Sequence, residues 1–281
     1  MQENIQTKFF TTSDGCAVAY TLRPAQELGA QRLALIHSLA LDRSIWNGVA
    51  AKLAGRVEIL TYDCRGHGQS GRSAALFTTK LFADDLAELL DHVGWRAAAV
   101  AGCSMGGCVA QAFAGVNPSR VSALGLIDTT AWYGKGAPEE WRERAAAARA
   151  KGFAGMVDFQ IARWFSDRFR IAHPELVKET TEIFLANELN CYAAACAMLG
   201  DADLRLYLPS IRVPVEVIVG EQDSATPIAM ARQLHEAIYG STLTILPGGR
   251  HLTPIECPDQ IASQLLALLE RVHSQQTVAE A

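Results

Sequence analysis

The chain predicts an α/β fold: a mostly parallel central sheet with helices on both faces and a helical insertion between two of its strands. Three observations carry that expectation. Short apolar runs (33–37, 57–62, 97–101, 121–127, 215–219 and 242–246) alternate with stretches whose apolar residues recur at helical spacing. Such alternation implies parallel strands joined by helices that bury both sheet faces. The alternation breaks after Asp128, and from about 130 to 207 only helical patterns occur. With 281 residues, 49% of them apolar, the chain can bury one large core.

Taken in order, residues 9–12 and 16–22 read as a hairpin around Ser13-Asp14-Gly15. The buried strand 33–37 ends in His37-Ser38-Leu39-Ala40-Leu41-Asp42, and 46–53 is a short helix. Strand 57–62 runs into Asp63-Cys64-Arg65-Gly66-His67-Gly68-Gln69-Ser70, a run of turn formers whose polar side chains suit the satisfaction of loop backbone groups. Helix 81–93 carries Asp84, Asp85, Glu88 and Asp91 off its apolar face. Strand 97–101 meets Gly102-Cys103-Ser104-Met105-Gly106-Gly107, and a helix follows from Cys108. After strand 121–127 come helices over 139–151, 153–165, 174–186 and 190–199. Strand 215–219, helix 228–238, strand 242–246 and helix 258–271 complete the pattern, with a frayed tail from 273 to 281. Residues 1–129 and 209–281 thus form the expected core, and 130–208 a lid over the strand ends.

Composition excludes several classes. The net charge is −5 and there is no basic patch, so nucleic acid and membrane surfaces are not expected partners. No apolar run is long enough to span a bilayer, and MQENIQTKFF lacks the pattern of a secretion signal. Seven cysteines without a C-x-x-C read as reduced, small core residues of a cytoplasmic protein. No His/Cys cluster has metal-site spacing.

The chemistry gathers at strand ends. Gly102-x-Ser104-x-Gly106, between strand and helix, is the pattern of a serine held on a strained turn, its hydroxyl clear of the sheet and facing the first helical amides. Such a hydroxyl needs a base, and the base an orienting acid. Asp223 follows strand 215–219 and His251 follows strand 242–246, in the chain order expected for this motif. Asp128 also follows a strand and competes with Asp223 for the acid's role. The amide of Met105 supplies one oxyanion donor, and alignment of the loop after 33–37 puts the second at Leu39. His37 is expected to buttress that loop. His67, His92, His173, His235 and His273 are expected on the surface or in loops.

In the insertion, Trp132 and Arg163-Trp164 stand out. Arginine beside aromatics suits a pocket for a carboxylate-bearing substrate, because guanidinium binds carboxylate through two parallel bonds. The alternative is a solvated helix charge and two tryptophans of the lid core.

Asp63-x-Arg65-Gly66-His67-Gly68-x-Ser70, the serine motif, and the Asp223 and His251 loops together resemble the α/β-hydrolase family over nearly the whole chain. Within it, Ser38-Leu39-x-x-Asp42, Arg163-Trp164-Phe165 with His173-Pro174-Glu175, and Tyr192-Ala193-x-x-Cys196 before Asp201-Ala202-Asp203-Leu204-Arg205 look most like the 3-oxoadipate enol-lactonases. His37, where those lactonases often have Asn, and Cys103, where Leu is common, depart from the pattern. The resemblance implies an α/β-hydrolase fold and a cytoplasmic serine hydrolase of aromatic-compound degradation. Its substrate would be a small enol-lactone, and no metal or cofactor is needed. A carboxylesterase with the same triad and a slow-turnover ligand receptor are the alternative readings.

Overall fold

The computed structural model describes residues 6–27, 29–72 and 75–279. Its strands are β1 (Lys8–Thr11), β2 (Ala17–Arg23), β3 (Arg32–Ile36), β4 (Glu58–Tyr62), β5 (Ala98–Cys103), β6 (Val121–Ile127), β7 (Val215–Gly220) and β8 (Thr242–Leu246). They make one sheet in the order β1-β2-β4-β3-β5-β6-β7-β8. The β1–β2 and β2–β4 pairs are antiparallel and every later pair is parallel. All six residues of β5 and all six of β7 are buried. Since successive strand side chains point to opposite faces, both faces of the sheet are covered there. The expected α/β-hydrolase fold is what the chain adopts.

Helices α1 (Asn47–Leu53), α2 (Thr79–His92) and α3 (Met105–Val116) belong to the first half of the sheet. Between β6 and β7 lie α4 (Ala137–Lys151), α5 (Val157–Trp164), α6 (Asp167–Ala172), α7 (Pro174–Leu185) and α8 (Leu189–Asp201). The second half adds α9 (Ile228–Ala237), α10 (Thr253–Glu256) and α11 (Pro258–Ala279). Helix α2 starts where Thr78 caps it, its hydroxyl accepting from the Leu81 amide at 3.0 Å. In the same way Ser166 opens α6, a helix not anticipated from the sequence because it is a turn and a half long and carries no apolar period. Helix α11 runs past the expected end at 271 to Ala279, so the tail from 273 is helical as far as it is described; Glu280 and Ala281 lie outside the described residues. So do residues 1–5, where the stretch read for a secretion signal begins, and the side-chain setting of His273. Among the described residues no single helix is long and apolar enough to cross a membrane.

The turn after β4 behaves as its composition suggests. Asp63 accepts from the amides of Arg43 (2.8 Å) and Gln69 (2.9 Å), and Ser70 donates to the Asp63 carbonyl at 2.6 Å. Arg65, 1% exposed, is the central tie. It forks onto Asp85 of α2, which is itself 3% exposed, and reaches Asp14 in the β1–β2 turn at 2.8 Å. Removing one partner of a buried pair leaves a charge in low dielectric. Asp85→Ala should therefore lower the unfolding free energy by about 3 kcal/mol, read from urea denaturation followed by dichroism; a loss below about 1 kcal/mol, the range of exposed pairs, would contradict this role for the pair.

Candidate active site

The serine turn is built by close approach. Ser104 has φ 56° and ψ −114°, a backbone conformation an L-residue adopts at a cost of about 1–3 kcal/mol. Neighbours hold it there: the Ser104 amide donates to the Ile127 carbonyl at 2.9 Å, and the Ser104 carbonyl accepts from Thr129 Oγ1 at 2.7 Å. A Cβ on Gly102 would stand 2.1 Å from the Gly106 carbonyl oxygen, and one on Gly106 would stand 2.3 Å from that of Ile36. Both flanking positions of the motif therefore have to be glycine for α3 to start this close to β3 and β5.

Three side chains from three strand ends meet here. Ser104 Oγ lies 2.9 Å from His251 Nε2, and His251 Nδ1 lies 2.8 Å from Asp223 Oδ2. The other Asp223 oxygen accepts from the amides of Ala225 (2.7 Å) and Thr226 (3.0 Å), and Thr226 Oγ1 donates to Oδ2 at 2.8 Å. Burial alone would raise the Asp223 carboxyl. The charge and hydrogen bond of His251, with the Thr226 donors, outweigh burial and hold it below the ordinary carboxylate range.

Asp128 lies elsewhere in the network. One oxygen accepts from the Gly220 amide at 3.0 Å; the other accepts from the Thr253 amide at 3.0 Å and from Thr253 Oγ1 at 2.6 Å. It thus clips the end of β7 to the start of α10, on either side of the His251 loop. Full burial, with Asp223 nearby, pushes its carboxyl well above the usual value.

The cavity over Ser104 is about 20 Å³, room for a single water. Ser38, Leu39, Tyr133, Trp141, Arg144, Arg163, Trp164, Thr226 and His251 are among the residues lining it. Met105 is fully buried, and as the first residue of α3 its amide has no carbonyl within the helix to bond. Tyr133, Trp141, Arg144, Arg163 and Ala225 also line a second, larger chamber of about 710 Å³. Trp164 does two things: it lines the cavity, and at 3% exposure it packs edge-on against Phe184 at 5.4 Å in the core of the helical segment. Trp132 does not line the cavity. Its ring carries the Arg205 guanidinium at 3.8 Å.

Arg144 was not evident in the sequence. Its Nε donates to the Tyr192 hydroxyl at 2.9 Å and its Nη2 to Gln160 Oε1 at 3.1 Å, while the guanidinium lies 5.0 Å from the Trp141 ring. Among the described residues, neither Arg144 nor Arg163 is ion-paired with a carboxylate. Burial, together with Arg144 nearby, pulls the Arg163 pKa down. The only signals for Arg144 were an i, i+3 spacing from Trp141 and a tyrosine 48 positions on, and neither is distinctive.

Histidines divide differently from the expectation. His37 does buttress its loop: Nδ1 is 2.7 Å from the Ser38 carbonyl and Nε2 accepts from the Cys64 amide at 2.9 Å. His67 lies in a loop, one of the two settings expected for it, and is buried there: it is 2% exposed, packs 5.1 Å from the His37 ring, and burial drives its pKa down to about 3. Two more have partners: His92 bonds the Tyr20 hydroxyl and His235 the Ser241 hydroxyl. None of the seven cysteines, all of them among the described residues, is in a disulfide, and six of them are buried.

Known proteins share this arrangement of strands and loops. Residues 31–258 match the family model described as the alpha/beta hydrolase fold. The chain is 32% identical over 244 residues to 3-oxoadipate enol-lactonase 2 of Acinetobacter baylyi, covering 86% of this chain and 90% of that one. Among solved structures, the enol-lactonase from Burkholderia xenovorans superposes with a TM-score of 0.88 at 29% identity, over 94% of this chain and all of the other. A thermophilic esterase from Thermogutta terrifontis, solved with malate bound, gives 0.87 at 27% identity over 95% and 99%. With the family model spanning most of its length, this chain belongs to the α/β-hydrolase family.

Proposed function

We propose that this protein is a serine hydrolase that opens a small enol-lactone bearing a free carboxylate, 3-oxoadipate enol-lactone or a close relative. The observation that carries the reading is the hydrogen-bonded line Asp223–His251–Ser104 in a cavity lined by two arginines that, among the described residues, pair with no carboxylate. In this mechanism His251 Nε2 takes the Ser104 proton and Oγ attacks the ring carbonyl. The Leu39 and Met105 amides hold the oxyanion. The ring C–O bond breaks, and the enolate takes the proton from His251 and becomes a ketone. Water, deprotonated by His251, then frees the acid and returns Ser104 to its starting state. Asp223 stays ionised and keeps the Nδ1 proton in place. Arg163 and Arg144 bind the substrate carboxylate, with Trp164 against the ring. Residues 130–208 act as the lid that supplies them, a unit set into the core formed by 1–129 and 209–281. The pathway is aromatic-compound catabolism in the cytoplasm. No step calls for a metal or cofactor. The similarity to enol-lactonases at about a third identity supports this substrate.

A second reading, hydrolysis of an open-chain carboxylate ester by the same residues, is supported by the similar esterase with malate, a dicarboxylate, bound. Comparing kcat/KM for enol-lactones and for linear esters of the same acid separates the two.

Ser104→Ala should lower kcat on both substrate types by at least about 10⁴-fold with the dichroism spectrum unchanged; retained turnover would remove the serine mechanism. Arg163→Ala and Arg144→Lys should each raise KM for carboxylate-bearing substrates about 10- to 100-fold, the worth of a charge-assisted bidentate contact. Neutral p-nitrophenyl esters should change little. An equal loss on neutral esters would assign both arginines a structural role instead.

A further inference from the structure

The loop that carries Leu39 is a tight turn. The Leu41 amide donates to the Ser38 carbonyl at 3.3 Å, and within Ser38–Leu41 only Ala40 has a positive φ, 59°. A positive φ at the third residue alone is the mark of a type II turn, a position that glycine or asparagine usually fills. Alanine there carries a steric cost, so the conformation has to be held from outside.

Asn187 holds it. This residue stands at the corner where α7 ends and α8 begins, and its Nδ2 donates to the Ala40 carbonyl at 2.7 Å. The carbonyls of Ile183 and Phe184, in the last turn of α7, each lie 3.0 Å from the same nitrogen. Three carbonyl oxygens around one end of an amide can only be met by its NH₂, so that end is the donor. The corner is fixed on its far side as well, where Glu188 caps α8 by accepting from the Cys191 amide at 2.8 Å.

Two peptide planes carry this contact to Leu39. No peptide bond among the described residues is cis, so the carbonyl and the amide of each unit point in opposite directions. In the Ala40–Leu41 unit the carbonyl meets Asn187 and the amide meets Ser38. In the Ser38–Leu39 unit the carbonyl receives the Leu41 amide, which turns the Leu39 amide the other way. His37 supports the same carbonyl from the core: Nε2 accepts from the Cys64 amide, so Nδ1 carries the proton and donates to Ser38 at 2.7 Å. Leu39 is 6% exposed and lines the cavity over Ser104, yet among the described residues its amide has no hydrogen-bond partner.

We propose that Asn187 is a positioning residue for the oxyanion site: from the α7–α8 corner it holds the Ser38–Leu41 turn in the shape that aims the Leu39 amide at the developing oxyanion. This role rests on the proposed reading, in which Ser104 attacks and the Leu39 amide receives the charge.

The test is Asn187→Ala, on the parent chain and on an Ala40→Gly background. The substrate is p-nitrophenyl acetate, which brings no carboxylate to the arginines, and active sites are counted by an organophosphate that labels Ser104. On the parent chain kcat should fall about 10- to 100-fold, no more than deleting an oxyanion donor outright, with KM within about 2-fold. Affinity for a trifluoromethyl ketone, whose adduct with Ser104 puts an oxyanion in the same place, should fall by the same factor as kcat. Glycine takes a positive φ without steric cost, so with Ala40→Gly the turn keeps its shape unaided and the loss should shrink to under about 3-fold. Full activity in Asn187→Ala, or an equal loss on both backgrounds, would overturn the proposal, since a residue that only packs the helical corner is indifferent to the backbone of Ala40. Ser104→Ala in parallel distinguishes the two failures. Activity retained there removes the nucleophile and the reading built on it, whereas an inactive Ser104→Ala beside a fully active Asn187→Ala removes only the role of Asn187.

Discussion

The structure depends on the contact between the first turn of α3 and the end of β3. A serine at φ 56° is strained, and it persists only because its surroundings leave it no alternative. Backbone from three adjacent strands supplies that constraint: Ile36 against Gly106, Gly102 against the start of α3, and Ile127 accepting the Ser104 amide. The same packing aims the helix amides and sets the Leu39 loop beside them. Loosening any one of these strand ends would cost serine geometry and oxyanion geometry together.

A second constraint brings in the other half of the sheet. Asp128 clips Gly220 to Thr253, and a Cβ on Gly220 would stand 2.2 Å from the Arg250 carbonyl oxygen, so the acid strand and the histidine loop touch directly. That loop is in turn stitched to the junction of α5 and α6. Leu252 donates to the Trp164 carbonyl at 3.2 Å, Arg250 reaches the Phe165 carbonyl at 3.3 Å, and Glu256 accepts from the Ser166 amide at 2.8 Å. The end of the helix that carries Arg163 and Trp164 is therefore fixed to the backbone that carries His251. On the proposed reading, the backbones that carry the substrate-facing and the proton-transferring groups are tied together, as precise positioning requires.

How much of this was legible in the sequence follows from what each feature depends on. Strand alternation and the break after Asp128 are periodic signals, and they yielded the fold. The order Ser104, Asp223, His251 carried the site because each residue sits at a strand end, and strand ends of a parallel sheet share an edge. Two carboxylates at such ends could not be separated by order, since the choice turns on side-chain direction. Asp128 turns toward Gly220 and Thr253, Asp223 toward His251. The helical segment was the least legible part. Helix α4 is a run of charges and alanines without an apolar stripe, so which face Arg144 takes is decided by Tyr192 on α8, not by local pattern. Trp132 and Tyr133 are neighbours in sequence, yet one lies under Arg205 and the other beside Ser104. His67 sits in a loop, but its burial was not legible, because a loop histidine looks solvent-facing until its loop packs beneath another.

Electrostatics and volume lead to one conclusion about the substrate. A guanidinium drawn partly out of water loses hydration that only an anion restores in full. Arg144 and Arg163 line the same cavity, burial and the charge of Arg144 make Arg163 less tolerant of its own charge, and Arg144 is met by tyrosine, glutamine and a tryptophan ring. On the proposed reading the substrate's carboxylate completes this set, so the contact that recognises the ligand also restores what burial takes from the guanidinium. A neutral ester brings no such relief. Tyr133, Trp141, Arg144 and Arg163 line both the small cavity over Ser104 and the larger chamber. On the proposed reading, selection for charge and access to the serine are therefore properties of one set of residues.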